Sequence, residues 1–133
     1  MELSALQPLL FGDKRQSYKL QLTQSIQKYI HENLQGHLSL NSVAAKFNLS
    51  PGYLSQLFAK AVGESFIEYI NKARISAAKE MLAHGELRIY EIADKLGFGN
   101  AFYFSNVFKK VEGISPRDYL RKLDSENSTS KHQ

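Results

Sequence analysis

The sequence predicts an all-α fold of about seven helices, and three observations carry that prediction. Apolar residues recur at helical spacing, in Leu22, Ile26, Tyr29, Ile30 and Leu34 and again in Phe66, Ile70, Ala73, Ala77 and Met81. No segment alternates apolar and polar residues in the manner of a strand, and β-branched clusters are missing. The chain also resembles itself weakly at a period of about 50 residues.

At 133 residues the chain has the size of one domain, with a single core or two small ones sharing a long helix. Hydrophobic residues at 43% and charged residues at 23% are ordinary globular values, and no stretch approaches the roughly 18 apolar residues of a membrane span. A soluble protein without a membrane partner is expected. The start, Met1-Glu2-Leu3, lacks the basic and apolar regions of a secretory signal, and the chain has no cysteine, so a cytoplasmic location is the default.

A net charge of +4 suits an anionic partner, and its distribution says more than its total. No acidic residue lies between Glu32 and Glu64 or between Asp94 and Glu112, while Lys46, Lys60, Lys95, Lys109 and Lys110 fall in those windows.

Taken in order, residues 1–17 show no sustained period and contain Pro8 and Gly12-Asp13, the marks of a linker or the remnant of an upstream domain. Residues 18–123 form the working part: a first unit over about 18–64, a bridging helix over about 65–84 and a second unit over about 86–123. Residues 124–133 offer nothing apolar to bury and read as a disordered tail.

The repeat organises the working part. Val43, Ala44 and Lys46 pair with Ile92, Ala93 and Lys95 at an offset of 49 residues. Downstream, Tyr53, Ser55, Phe58, Lys60, Gly63, Ser65 and Tyr69 pair with Tyr103, Ser105, Phe108, Lys110, Gly113, Ser115 and Tyr119 at an offset of 50. The one-residue slip falls between Leu49 and Tyr53, where each unit needs a turn.

Within each repeat the residues fit a helix-turn-helix. Two short helices crossing steeply need a small residue at their close approach, supplied by Ala44 and Ala93. The turn needs a residue tolerant of positive φ, and Asn48 and Gly97 follow four positions later. Ser50-Pro51 and Asn100 mark the start of the second helices. There Leu54, Leu57, Phe58 and Ala61 share one face, as do Phe104, Val107, Phe108 and Val111. The free faces carry Gly52, Tyr53, Ser55, Gln56 and Lys60 in one unit and Ala101, Phe102, Ser105, Asn106, Lys109 and Lys110 in the other. Amides and hydroxyls that can read base edges stand beside lysines that can meet phosphates, the composition of a recognition helix.

A further helix start follows each unit, at Ser65-Phe-Ile-Glu68 and Ser115-Pro-Arg-Asp118. The helix over about 65–84 would measure about 30 Å, close to one turn of DNA, a length suited to holding two recognition helices against one face of a duplex.

Over about Gln21 to Leu123 these residues resemble the DNA-binding domain of the AraC/XylS family of bacterial transcription regulators. The resemblance is carried most strongly by Ile92-Ala-Asp-Lys-Leu-Gly-Phe98, Tyr103-Phe-Ser-Asn-Val-Phe-Lys-Lys110 and Gly113-Ile-Ser-Pro-Arg-Asp-Tyr119. It implies two helix-turn-helix subdomains bridged by a long central helix, binding adjacent major-groove segments of promoter DNA, usually in activation. It also implies base-reading roles for Gly52, Ser55, Gln56, Asn100, Ala101, Ser105 and Asn106, and backbone contacts for Lys60, Lys109 and Lys110. Asn106 stands where similar sequences often have arginine, and Gly52 and Ala101 present little or no side chain. Family members usually carry a separate sensor or dimerisation domain; seventeen residues are too few to be one, so a fragment of a longer regulator or a minimal regulator is expected.

Other chemistry finds no support in the sequence. His31, His37, His84 and His132 lack partners at metal-ligand spacing, no serine sits in a nucleophile elbow and no glycine-rich loop precedes a helix. No metal site, cofactor or catalytic residue is expected, and without cysteine an alkyl-acceptor role is excluded. Tyr53 and Phe102 suit stacking on sugar or thymine methyl groups and equally suit packing on a neighbouring helix. The competing class is a helical interaction module that holds RNA polymerase or a sensor domain. Such a helix should expose an apolar anchor cluster, whereas Ser55, Gln56, Ser105 and Asn106 are small and polar, which favours double-stranded DNA.

Overall fold

The structure is a computed structural model that describes residues 10–131, among which there are seven α-helices and no strand. They are α1 (Leu10–Glu32), α2 (Leu40–Lys46), α3 (Pro51–Val62), α4 (Phe66–His84), α5 (Ile89–Lys95), α6 (Ala101–Glu112) and α7 (Pro116–Lys131). The chain divides into two compact units, one with the residues up to Asn33 and Leu38–Glu68, the other with Leu34–His37 and the residues from Tyr69 onward.

Most helix starts have a side-chain reason. Before α2, Ser39 and Ser42 form a reciprocal box, each hydroxyl accepting the other's backbone N–H at 3.0 Å. Before α4, the Glu68 carboxylate accepts the Ser65 N–H and the Ser65 hydroxyl accepts the Glu68 N–H, both at 3.1 Å. The Ser50 hydroxyl accepts the Tyr53 N–H at 3.1 Å to open α3, with Pro51 at the first helical position, where its missing N–H costs nothing. The Asn100 side-chain oxygen accepts the Tyr103 N–H at 2.7 Å to open α6. Glu91 reaches back to the Arg88 N–H at 2.8 Å before α5, and Ser115 accepts the Asp118 N–H at 3.1 Å to open α7.

Both turns that follow the first helix of a helix-turn-helix have the same wiring. In the first unit Leu49 N–H donates to Ala44 at 2.8 Å and Asn48 N–H to Ala45 at 3.2 Å. In the second, Phe98 N–H donates to Ala93 at 3.0 Å and Gly97 N–H to Asp94 at 3.2 Å. This is the Schellman pattern, and its left-handed residue is Asn48 (φ 59°) or Gly97 (φ 77°), the two residues expected there. Phe98 is then buried in the second core, and Leu49 is half-buried in the first unit. The slip in the repeat is Gly99, an extra residue at φ 87° between Phe98 and the cap Asn100.

Equivalent positions are buried in both units: Val43 and Ile92, Ala44 and Ala93, Leu54 and Phe104, Leu57 and Val107, Phe58 and Phe108. Complete burial of each phenylalanine contributes about 1.5–3 kcal/mol of transfer free energy. Phe58 meets Phe66 edge to ring at 5.5 Å in the first unit, and Phe108 meets Phe104 at 5.8 Å and Tyr119 at 5.6 Å in the second.

Three differences from the sequence reading have physical reasons. Residues 10–17, expected as a linker, are the first turns of α1, while residues 1–9 lie outside the described residues. Residues 124–131, expected to be disordered, continue α7 to Lys131. They contain nothing apolar to bury; once the first turns of α7 are fixed by Ser115, Pro116 and Tyr119, each added residue gains a hydrogen bond without a new nucleation cost. The buried face of α4 follows the expected stripe at Phe66 and Ile70 and then shifts by one residue to Arg74, Ile75, Ala78 and Leu82, whereas Ala73, Ala77 and Met81 are half-buried.

Candidate nucleic-acid interface

The amphipathic pattern of α3 turns Leu54, Leu57 and Phe58 inward and leaves Gly52, Tyr53, Ser55, Gln56 and Lys60 exposed. In α6, Phe104, Val107 and Phe108 are inward, and Asn100, Phe102, Asn106, Lys109 and Lys110 are exposed, with Ala101 and Ser105 half-buried. Each unit therefore brings its expected residues to one surface of its second helix. A Cβ at Gly52 would meet nothing within 4 Å, so packing does not require glycine there.

The structure separates residues that the sequence left ambiguous. Phe102 is 78% exposed and packs into no core. Its neighbour Tyr103 instead lies on Phe98, ring centroids 5.9 Å apart. Tyr53 is partly covered, on a groove between α1 and α3. Asn100 uses its carbonyl oxygen in the cap, which leaves its amide NH₂ as the group that can donate outward.

Charge on these faces is positive. Lys60, Lys109 and Lys110 have no acidic partner among the described residues. Glu112, the carboxylate at the end of α6, is held 3.0 Å from Lys79 Nζ, and Lys79 also lies 5.7 Å over the Tyr119 ring. The hydrogen bond from Lys79 to Glu112 raises the lysine pKa above its ordinary value, against the opposing effect of burial. The pair ties the one acidic group of α6 to α4.

One residue that sequence reasoning missed is Arg74, buried on α4. Its Nε donates to the Leu34 carbonyl at 3.1 Å and its Nη2 to the Gly36 carbonyl at 2.9 Å, so it holds the segment after α1 within the second unit. Its guanidinium lies 5.9 Å over the Phe98 ring. Burial pushes its pKa down from the ordinary arginine value. An arginine four residues from Ile70 and four from Ala78 was the available signal, since a cation on a buried stripe needs partners.

Among the described residues no group of three or more His, Cys, Asp and Glu could hold a metal ion, and no helix is long and apolar enough to cross a membrane.

Comparison with known proteins agrees with this arrangement. Residues 43–122 match a family described as a helix-turn-helix domain. An uncharacterized HTH-type transcriptional regulator of Bacillus subtilis is 37% identical over 104 residues, which cover 78% of this chain and 14% of that protein. The chain spans between 14% and 42% of the length of the curated relatives compared with it. The C-terminal domain of AraT, a response regulator from Geobacillus stearothermophilus, superposes with a TM-score of 0.71 at 41% identity, covering 74% of this chain and 83% of that one. The DNA-binding domain of the transcriptional factor AdpA, in complex with a target DNA, has a TM-score of 0.73 at 19% identity over 77% of this chain and 92% of that one, a likeness of fold.

Proposed function

The chain belongs to the AraC-type helix-turn-helix family of sequence-specific DNA-binding transcription regulators, and from that premise we propose that α3 and α6 are its two recognition helices. Each enters one of two adjacent major-groove segments of promoter DNA. Gly52, Ser55 and Gln56 face bases in one segment; Asn100, Ala101, Ser105 and Asn106 face bases in the other. Tyr53 and Phe102 contact sugar or thymine methyl groups, and Lys60, Lys109 and Lys110 meet phosphates. The single observation that carries this reading is the duplication: two compact units each present an exposed polar face, with the same hydrogen-bonded turn before it and exposed lysines on it.

In the cell this is regulation of transcription in the cytoplasm, by activation, with the sensor or dimerisation function supplied by a further domain. Enzymatic chemistry has no part in it. A second reading, contact with a protein such as RNA polymerase, draws on Tyr90 and Phe102, which are 59% and 78% exposed in the second unit. The two readings separate by selection of duplexes from a randomised pool. DNA reading predicts a two-part consensus, of which Ser55→Ala/Gln56→Ala blurs one part and Ser105→Ala/Asn106→Ala the other. Recovery of no consensus by the folded protein would refute it.

A further inference from the structure

The N-terminal half of α1 packs beside α3 and leaves a groove of about 880 Å³ whose α1 wall the major-groove reading does not use. Gln16, Ser17 and Lys19 of α1 line one wall; Tyr53, Gln56 and Lys60 of α3 line the other. Three of those six residues also belong to the proposed reading face of the first unit, so the groove is continuous with it.

Two features identify what the groove suits. No acidic residue lines it, and Lys19 and Lys60 have no acidic partner among the described residues. The sequence from Lys14 to His31 also contains no Asp or Glu, and Lys14, Arg15 and Lys19 stand at the groove end of α1, so the field there is positive. An anionic chain fits. The remaining wall groups, two amides, a hydroxyl and a phenol, are among the neutral groups that donate to phosphate oxygens.

We propose that this groove seats the sugar-phosphate backbone flanking the major-groove segment that α3 reads, with Lys19 and Lys60 meeting phosphates from its two walls. The inference rests on the DNA-reading function proposed above and adds α1 to it as a clamp. Gln16 and Ser17 supply neutral hydrogen bonds, and the Tyr53 ring faces the sugar.

The test compares the full chain with its Lys19→Ala, Lys60→Ala and Lys28→Ala variants. Binding to a labelled duplex from the selection above, and to a shuffled duplex, is followed over a salt series. Lys28 is the charge control: it is exposed on the same helix, about 13 Å from Lys19 at 1.5 Å per residue, and does not line the groove. Each lost phosphate contact should lower the slope of log K against log salt by about 0.9, so Lys19→Ala and Lys60→Ala become shallower and Lys28→Ala keeps the wild-type slope. Because the chain has no cysteine, Ser17→Cys can carry a single iron chelate, which should cleave one strand beside the part of the consensus that α3 reads. If wild type prefers the selected duplex, yet Lys19→Ala matches Lys28→Ala and the chelate leaves DNA uncut, the groove assignment is wrong and a protein occupant takes its place. If folded wild type binds neither duplex, the DNA reading itself fails and the clamp falls with it.

Discussion

Gly97 lies against Arg74 so closely that a Cβ on the glycine would sit 3.0 Å from Nη2 and 3.2 Å from Cζ of the guanidinium. The turn of the second helix-turn-helix and the buried cation of α4 are thus one packed feature, and Arg74 cannot swing away without giving up its bonds to Leu34 and Gly36. Gly97→Ala combines this crowding with left-handed strain, and we predict a loss of about 2–3 kcal/mol in urea unfolding. Asn48 holds the same conformation in the first unit, and Asn48→Gly should be neutral or stabilising by up to about 1 kcal/mol. A Gly97→Ala variant as stable as wild type would contradict this.

Arg74→Met keeps an unbranched apolar stem but leaves the Leu34 and Gly36 carbonyls without their donors. Hydrogen bonds to a charged group are worth about 1.5–3 kcal/mol each, and we predict a total loss of about 3 kcal/mol, with Arg74→Lys intermediate because one ammonium does not reproduce the forked geometry. Hydrogen exchange should locate the loosening at residues 34–37 and in the α5–α6 turn. Uniform loosening elsewhere would count against the anchor role.

The Lys79–Glu112 pair gives a pH dependence whose sign is fixed. Lys79 has a raised pKa in the folded state, so its contribution is complete below the unfolded lysine value near 10.4 and disappears as pH rises through the folded value. The pair is partly exposed, so the effect is at most about 1 kcal/mol. Thermal unfolding from pH 9 to 11.5 should show a decline in Tm that Lys79→Met lacks; parallel curves for the two proteins would rule the pair out.

Much of this was legible because it is local. Ala44 and Ala93, Asn48 and Gly97, and the caps Ser50 and Asn100 announce their roles by type and spacing, and the duplication let each unit check the other. What was not legible depends on segments distant in sequence. Arg74 finds its partners at residues 34 and 36, about 40 positions away, and apolar periodicity carries no sign of that. The groove between α1 and α3 joins Lys19 to Lys60 in the same way. The helix beyond Leu123 escaped because a polar segment offers no stripe to read, although an anchored helix extends into it.

Lys109 and Lys110 are exposed at the end of α6 with Glu112 occupied by Lys79, so their charge is available to phosphate. Lys109→Ala/Lys110→Ala should leave unfolding within about 0.5 kcal/mol of wild type while lowering the salt slope of DNA binding by roughly one to two. An unchanged slope would remove these lysines from the interface.

Whether the chain reads duplex DNA by sequence is measured by fluorescence anisotropy. A labelled duplex from upstream of its own gene is titrated beside a shuffled duplex of equal length across a salt series. A preference of roughly a hundredfold or more for the natural duplex is expected, with affinity falling steeply as salt rises. Equal binding to both duplexes, or no binding at low salt by a protein whose circular dichroism is that of the folded helical chain, would contradict it.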